Sequence, residues 1–212
     1  PDLVVVYGDT NSTLAGALAA KKMHIKVVHI EAGLRSFNMH MPEEINRILT
    51  DRISDLLLCP TATSVLNLEQ EGFLQLPSKI VQCGDIMKDA VTFYSSISEK
   101  KSSIVSDLNL IPGQFVLATI HRQENTDAIE NLKAIFEGLE EIHKKKQVVL
   151  PLHPRTKAIL DKNKLDYQVT IIDPVGYFDM LSLLNKCNMV ITDSGGLQKE
   201  AYFMQKPCIT LR

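Results

Sequence analysis

The residues best equipped for chemistry cluster in one run, His29-Ile-Glu31-Ala-Gly-Leu-Arg35-Ser-Phe-Asn-Met-His-Met-Pro42-Glu43-Glu44-Ile-Asn-Arg47. Three carboxylates (Glu31, Glu43, Glu44) and two guanidinium groups (Arg35, Arg47) gather there between a short apolar run and a helix start. Clustered carboxylates push one another's pKa values apart, which is how an acid and a base are separated at one pH. Asp9, in Gly8-Asp9-Thr10-Asn11-Ser12, ends the preceding apolar run and joins this group if the two runs are neighbouring strands. Each residue also has a plainer use. Asp9 can cap a helix. Glu43 and Glu44 can offset a helix dipole, with Glu43 four residues before Arg47.

A second set lies later in the chain. Asp193-Ser194-Gly195-Gly196-Leu197-Gln198-Lys199-Glu200 follows an apolar run and opens a helical pattern. Ser194 suits an N-cap, the glycines let a ligand approach the backbone, and free N–H groups at a helix start favour a phosphate. Glu200, a turn further on, can accept two hydrogen bonds from a diol such as a ribose. A capped helix with a tight turn accounts for the same residues without a ligand. His121 and Arg122, in His121-Arg122-Gln-Glu124-Asn125, also end a run, and such a His can serve as acid, base or diphosphate donor. His153, in Pro151-Leu-His153-Pro-Arg-Thr, can bind a ligand or simply shape its loop.

These residues need a scaffold that delivers run ends to one side. Leu3–Tyr7, Lys26–Ile30, Leu56–Cys59 and Lys79–Cys83 read as strands alternating with helices that run from after Ser12 to about Met23, from Glu43 to about Ser54 and from Thr61 to Glu71. A second series has strands at Phe115–Ile120, Gln147–Leu150, Val169–Ile172, Met189–Thr192 and Cys208–Leu211. Its helices run from Asp127 to Lys144, after Pro154, from Phe178 to Asn185 and from Gly196 to Met204. The alternation predicts an α/β chain with two parallel sheets in tandem and a cleft between them, where ligands bind at the carboxyl ends of strands. The apolar run Leu3–Tyr7 predicts a strand buried on both faces. The first domain is placed at residues 1–85. A crossover at 86–112 holds a helix to Ser96 and the polar stretch 98–103. The second domain is placed at 113–212.

Composition narrows the class. Of 212 residues, 45% are hydrophobic and 23% charged, as in a soluble globular protein. The formal charge of −2 gives no reason to expect nucleic acid or an anionic membrane as partner. No apolar run is long enough to span a bilayer and no signal segment opens the chain. Cys59, Cys83, Cys187 and Cys208 are far apart and form no C-x-x-C, so they read as reduced thiols in a cytoplasmic protein rather than a metal or disulfide framework. The chain opens on Pro1-Asp2 at a strand and stops at a strand, which reads as a piece of a longer protein with both ends truncated.

Taken together, Gly8-Asp9-Thr10, His29-Ile-Glu31-Ala-Gly-Leu-Arg35, Pro42-Glu43-Glu44-x-Asn46-Arg47, His121-Arg122-x-Glu124-Asn125 and Asp193-Ser-Gly-Gly-x-Gln-x-Glu200 resemble the non-hydrolysing UDP-N-acetylglucosamine 2-epimerases in order and approximate spacing. The resemblance implies two Rossmann-like, doubly wound domains in the glycosyltransferase-B manner. It implies inversion at C2 of UDP-N-acetylglucosamine by elimination and re-addition of UDP, supplying precursors of surface polysaccharide. It assigns acid/base work to Asp9, Glu31 and Glu43, with His121 beside the departing diphosphate. Arg35, Arg47, Arg122, His153, Tyr177, Ser194, Gly195, Gly196 and Glu200 are expected to bind substrate. No cofactor and no metal are implied. The partner is the UDP-sugar, and a homodimer is expected. The family's terminal G-T-R-P-E-like and T-x-R-P-E-like segments are missing, so this piece alone is expected to be inactive. Met180 replaces an aromatic residue that the family often has. Three alternatives stand beside this reading: a two-domain glycosyltransferase, an epimerase of a UDP-diacetamido or uronic sugar, and a nucleotide-sugar sensor. A hydrolysing relative would instead release UDP and free N-acetylmannosamine.

Overall fold

The apolar runs form strands, and the segments between them form helices whose apolar stripes lie back on those strands. The computed structural model describes residues 1–163 and 165–211, the side chains of 123 and 124 excepted. Glu124, part of the His121 motif, therefore has its side chain outside the description. The chain divides into two units, Pro1–Ile86 and Met87–Arg212.

In the first unit the elements are β1 (Leu3–Tyr7), α1 (Asn11–Lys22), β2 (Lys26–Ile30), α2 (Pro42–Ile53), β3 (Leu56–Cys59), α3 (Ala62–Gln70), a 3-10 turn at Phe73–Gln75 and β4 (Lys79–Gln82). All pairings are parallel and the strand order is β1-β2-β3-β4. Tyr7 stands opposite Ile30, so Asp9 and Glu31 follow adjacent strand ends. Val6, Ala17, Ala20 and Val27 form one core, with α1 over β1 and β2. Ala32, Leu57, Cys59, Leu68 and Phe73 form another, under α3.

The expected two-sided burial of β1 is not what the structure shows. Leu3, Val5 and Tyr7 are exposed, whereas Val4 and Val6 pack with α1. Strand side chains alternate between faces, and among the described residues a helix covers only the even-numbered face.

The second unit contains α4 (Ile86–Lys101, starting at the boundary), α5 (Ile104–Asp107), β5 (Phe115–Thr119), α6 (Gln123–Thr126), α7 (Ile129–His143), β6 (Gln147–Pro151), α8 (Pro154–Lys162), β7 (Thr170–Ile172), α9 (Tyr177–Lys186), β8 (Met189–Thr192), α10 (Gly195–Phe203) and β9 (Cys208–Thr210). Its parallel sheet has the order β7-β6-β5-β8-β9. The period of two is visible in the core. Val116, Ala118, Val148 and Leu150 face Leu132, Phe136 and Leu139 of α7. Phe115, Leu117 and Val149 face Leu183 and Leu184 of α9 and Leu197 and Ala201 of α10. Helices thus cover both faces, and the winding direction reverses between β5 and β8. Ligands bind outside the carboxyl ends of strands at such a reversal.

The stretch read as a crossover at 86–112 is mostly helical. Helix α4 continues through the polar residues to Lys101, and Ser98 within it and Ser102 just past its end find partners within the second unit. The Ser98 hydroxyl donates to the Phe178 carbonyl at 2.7 Å, and Ser102 donates to the Asp179 carboxylate at 2.6 Å.

Phe136 is fully buried and stacks on Tyr167 with 5.0 Å between centroids. Phe136→Ala is expected to destabilise the fold by about 3–5 kcal/mol, seen as a lower urea midpoint.

Candidate functional site

The strand ends of the first unit carry its candidate chemistry. Thr10, not Asp9, caps α1: its hydroxyl accepts from the Thr13 N–H at 3.2 Å. The Asp9 carboxylate is thereby left to Arg47, whose Nε and Nη2 donate to Oδ2 at 2.9 and 2.8 Å. Asn46 pins the same turn by donating to the Asp9 carbonyl at 2.9 Å. Both clamps come from successive residues of α2, so the helix fixes the turn after β1. Arg47, expected at the substrate, is therefore engaged with Asp9 and, at 2.6 Å, with Glu44.

Glu31 has φ of 74°, in the left-handed region that non-glycine residues rarely occupy. Its N–H and that of Ala32 both donate to the Leu58 carbonyl, at 3.1 and 3.0 Å. The carboxylate turns back over Gly8, 3.7 Å from where a Cβ at Gly8 would stand. Strain of this kind is retained where the surroundings over-determine it, often at functional sites. Gly33, two residues on, has φ of 76°, and a Cβ there would lie 2.3 Å from the Ser64 carbonyl oxygen. Glycine is demanded at that position both by the backbone and by the close approach of α3.

The two glutamates of the Pro42-Glu43-Glu44 motif separate. Glu44 is 1% exposed and accepts from the Ser36 and Phe37 N–H groups and from Arg47. Burial pushes its carboxyl up, but those donors outweigh burial and hold it below the usual range. Glu43 is exposed on the first turn of α2. It is the glutamate of the pair that meets solvent.

Arg35 differs from the sequence expectation. Its side chain is 1% exposed, so it does not present its charge to a ligand. Nε and Nη2 donate to Glu71 at 2.6 and 2.8 Å, and Nη1 to Asp51 at 2.7 Å. Burial opposes its charge, but Glu71 and Asp51 outweigh that cost and raise its pKa.

In the second unit a cavity of about 420 Å³ opens at the β5/β8 reversal, within the size range of small-ligand sites. It is lined by His121, His153, Met180, Ser194, Gly196 and Glu200, with Ile120, Pro174, Val175 and Leu197 as apolar walls. Ser194 caps α10, accepting from the Leu197 N–H at 3.3 Å. Gly195 and Gly196 form the first turn, and a Cβ built at Gly195 meets nothing within 4 Å. Neither has a positive φ, so neither backbone nor packing requires glycine at Gly195. The empty volume suits close approach of a ligand to the free N–H groups, where helix geometry favours an anion.

His121 is 58% exposed, and its orientation is fixed by Asp193. The Asp193 carboxylate lies 2.7 Å from His121 Nδ1 and accepts from the His121 and Arg122 N–H groups and from Asn125. Burial raises the Asp193 carboxyl, and the donors around it outweigh burial and hold it low. Arg122 Nε donates to the Asp193 carbonyl at 2.8 Å. His153 caps α8, accepting from the Arg155 N–H at 3.2 Å. Glu200 is pushed up by burial, only partly offset by a hydrogen bond from the Tyr177 hydroxyl. Asp193, Asp51 and Asn46 went unassigned in the sequence reading. The signal for Asp193 was available, since an Asp between a strand end and the N-cap Ser194 of a Gly-Gly helix start lies next to the adjacent strand's end.

The family model described as UDP-N-acetylglucosamine 2-epimerase matches residues 1–212. The chain belongs to that family. The epimerase-family chain is 53% identical over its whole length to the UDP-2,3-diacetamido-2,3-dideoxy-D-glucuronate 2-epimerase of Pseudomonas aeruginosa, covering 59% of that protein. It is similar to the crystal structure of the Methanocaldococcus jannaschii UDP-GlcNAc 2-epimerase in complex with UDP-GlcNAc and UDP, with TM-score 0.86 and 45% identity over all of this chain and 60% of that one. The Neisseria meningitidis UDP-GlcNAc 2-epimerase bound to UDP-GlcNAc gives TM-score 0.84 and 36% identity, again over all of this chain and 60% of the other. The chain thus spans about 60% of the length of these relatives. Among the described residues no helix is long and apolar enough to cross a membrane.

Because the native Asp193 carboxyl sits below its ordinary range, its stabilisation is present above the unfolded value of about 3.9 and lost as pH falls through the native value. Asp193→Asn is expected to lower the thermal midpoint at neutral pH and to leave a shallower decline on the acid side, both read by calorimetry across pH.

Proposed function

We propose that the full-length protein is a UDP-N-acetylglucosamine 2-epimerase. It interconverts the gluco and manno forms of the UDP-sugar by eliminating UDP to a glycal and adding it back. The C2 proton is not adjacent to a carbonyl, so no enolate can stabilise its direct removal. In the elimination, the C2–H bond breaks to a protein base while the C1–O bond breaks to release UDP, leaving a C1=C2 double bond. Re-addition returns UDP to C1 and a proton to the opposite face of C2. Asp9, Glu31 and Glu43 serve as the acid and base groups. His121, oriented by Asp193, and Arg122 take the diphosphate charge, with Ser194, Gly195 and Gly196 at its phosphates. Glu200 accepts from the ribose diol, and Met180 and the apolar walls take the base.

The observation that carries this reading is the pair Asp9 and Glu31 at adjacent strand ends, with Glu31 held at positive φ. A module that only bound nucleotide would need neither. We further propose that the protein acts as a homodimer in the cytoplasm and feeds surface polysaccharide synthesis.

A second substrate is favoured by one observation, the 53% identity to the Pseudomonas diacetamido-glucuronate epimerase. The two readings share one mechanism and differ in the substituents at C3 and C6 of the sugar.

Incubating the full-length protein with UDP-GlcNAc in D2O is expected to remove the C2 proton signal and yield the manno epimer. If exchange occurs only with the UDP-diacetamido-uronate, the second substrate is the right one. UDP and free N-acetylmannosamine as the sole products would instead mark a hydrolysing enzyme. Asp9→Asn, Glu31→Gln and Glu43→Gln are each expected to lower turnover by about 10²–10⁴-fold. Full turnover in all three sinks the proposal. Glu200→Gln is expected to weaken UDP binding by about tenfold or more, since a hydrogen bond to a charged group contributes about 1.5–3 kcal/mol.

A further inference from the structure

We propose that His29 and Asp51 are positioning residues that set where Asp9 and Glu31 stand, a role resting on the epimerase reading above. Asp51 lies on α2 with its side chain fully buried. Its carboxylate takes three donors: His29 Nδ1 at 2.7 Å, the Gly33 N–H at 3.1 Å and Arg35 Nη1 at 2.7 Å. His29, on β2, is also fully buried, and its Nε2 lies 2.8 Å from the Gly8 carbonyl oxygen. The path Gly8–His29–Asp51–Gly33 therefore joins two turns. Gly8 directly precedes Asp9, and Gly33 lies two residues after Glu31.

A buried carboxylate and imidazole are a costly way to fill space. Well-packed apolar residues of similar volume stabilise as well or better. What the polar path supplies that an apolar core would not is direction, because hydrogen bonds fix distances and angles. Gly8, Glu31 and Gly33 all have positive φ, at 69°, 74° and 76°. Glycine adopts such a φ freely, but Glu31 persists there only when its surroundings over-determine it. The Leu58 carbonyl holds the backbone N–H groups of Glu31 and Ala32, while Asp51 holds that of Gly33. His29 ties the strand that carries Glu31 to the Asp9 turn through its bond at the Gly8 carbonyl. Arg35 then anchors the Asp51 end to Glu71, just past α3.

The test uses the full-length protein, with C2 exchange in D2O, steady-state kcat and KM, and UDP titration. In His29→Asn the amide reaches the Nδ1 position, which keeps the bond to Asp51 and drops the one to Gly8. In His29→Gln the amide reaches the Nε2 position, which keeps a donor toward Gly8. His29→Asn is expected to lose about 10–100-fold in kcat, as a displaced catalytic group does, with KM and UDP affinity within about twofold. His29→Gln is expected to retain more turnover than His29→Asn. Asp51→Asn is expected to follow the same pattern of lost kcat at constant KM. Should it fail to fold, the two His29 variants decide. Equal turnover in the two His29 variants overturns the positioning role, and so does unchanged kcat in both. A ranking by thermal midpoint, with kcat and KM degraded together, marks a purely structural pair and also overturns it. Wild-type protein that exchanges no C2 hydrogen on any UDP-sugar tried removes the epimerase reading itself and this role with it. Loss of positioning with the wild type active leaves that reading intact.

Discussion

A carboxylate taken out of water must be surrounded by donors or it will not stay charged. Each unit applies that constraint to one buried aspartate, and in each the donors are the turns that carry the candidate chemistry. Asp193 gathers the N–H groups of His121 and Arg122, the Asn125 amide and the His121 ring. Asp51 gathers Gly33, His29 and Arg35. The parallel sheets bring strand ends to one side of each unit, but they do not fix the loops beyond. The buried aspartates do that, because any loop movement would leave buried carboxylate oxygens without donors.

The α2 segment shows how one helix can serve several ends of this arrangement. Asn46 and Arg47 hold the Asp9 turn, Glu44 holds the 36–37 loop, and Asp51 reaches the strand beneath. Helical periodicity brings residues three or four apart to one side, so a short helix can clasp both the loop before it and the turns of the sheet it covers. Glu44 and Arg47 spend their charges within the fold. Glu43, four residues before Arg47, instead stands exposed on the first turn of the helix.

The alternation of strands and helices was legible because apolar runs of four or five residues, broken by glycine and polar turns, leave few alternatives. The reversal between β5 and β8 was not, since pairing order depends on contacts far apart in sequence. The polar stretch near Ser98 misled because serines beside lysines resemble a linker. Only tertiary partners at Phe178 and Asp179 reveal that they are half of a packing surface. The places of Glu31 at a strand end and of Ser194 as a helix cap were legible in residue type and spacing. The candidate site was illegible where one charge serves another. Arg35 looks like a ligand clamp on paper, and its real partners, Asp51 and Glu71, lie 16 and 36 positions away. The family match covers all of these turns.

Glu200 carries a consequence for energetics. Its burial is only partly offset, so the side chain holds its proton more tightly than an ordinary glutamate. A ligand that donates hydroxyl hydrogens to it favours the ionised form. Occupancy of the cavity and release of a proton are then two faces of one equilibrium. As pH rises through that carboxyl's raised range, apparent affinity for such a ligand rises, and the heat of association depends on the buffer that receives the proton.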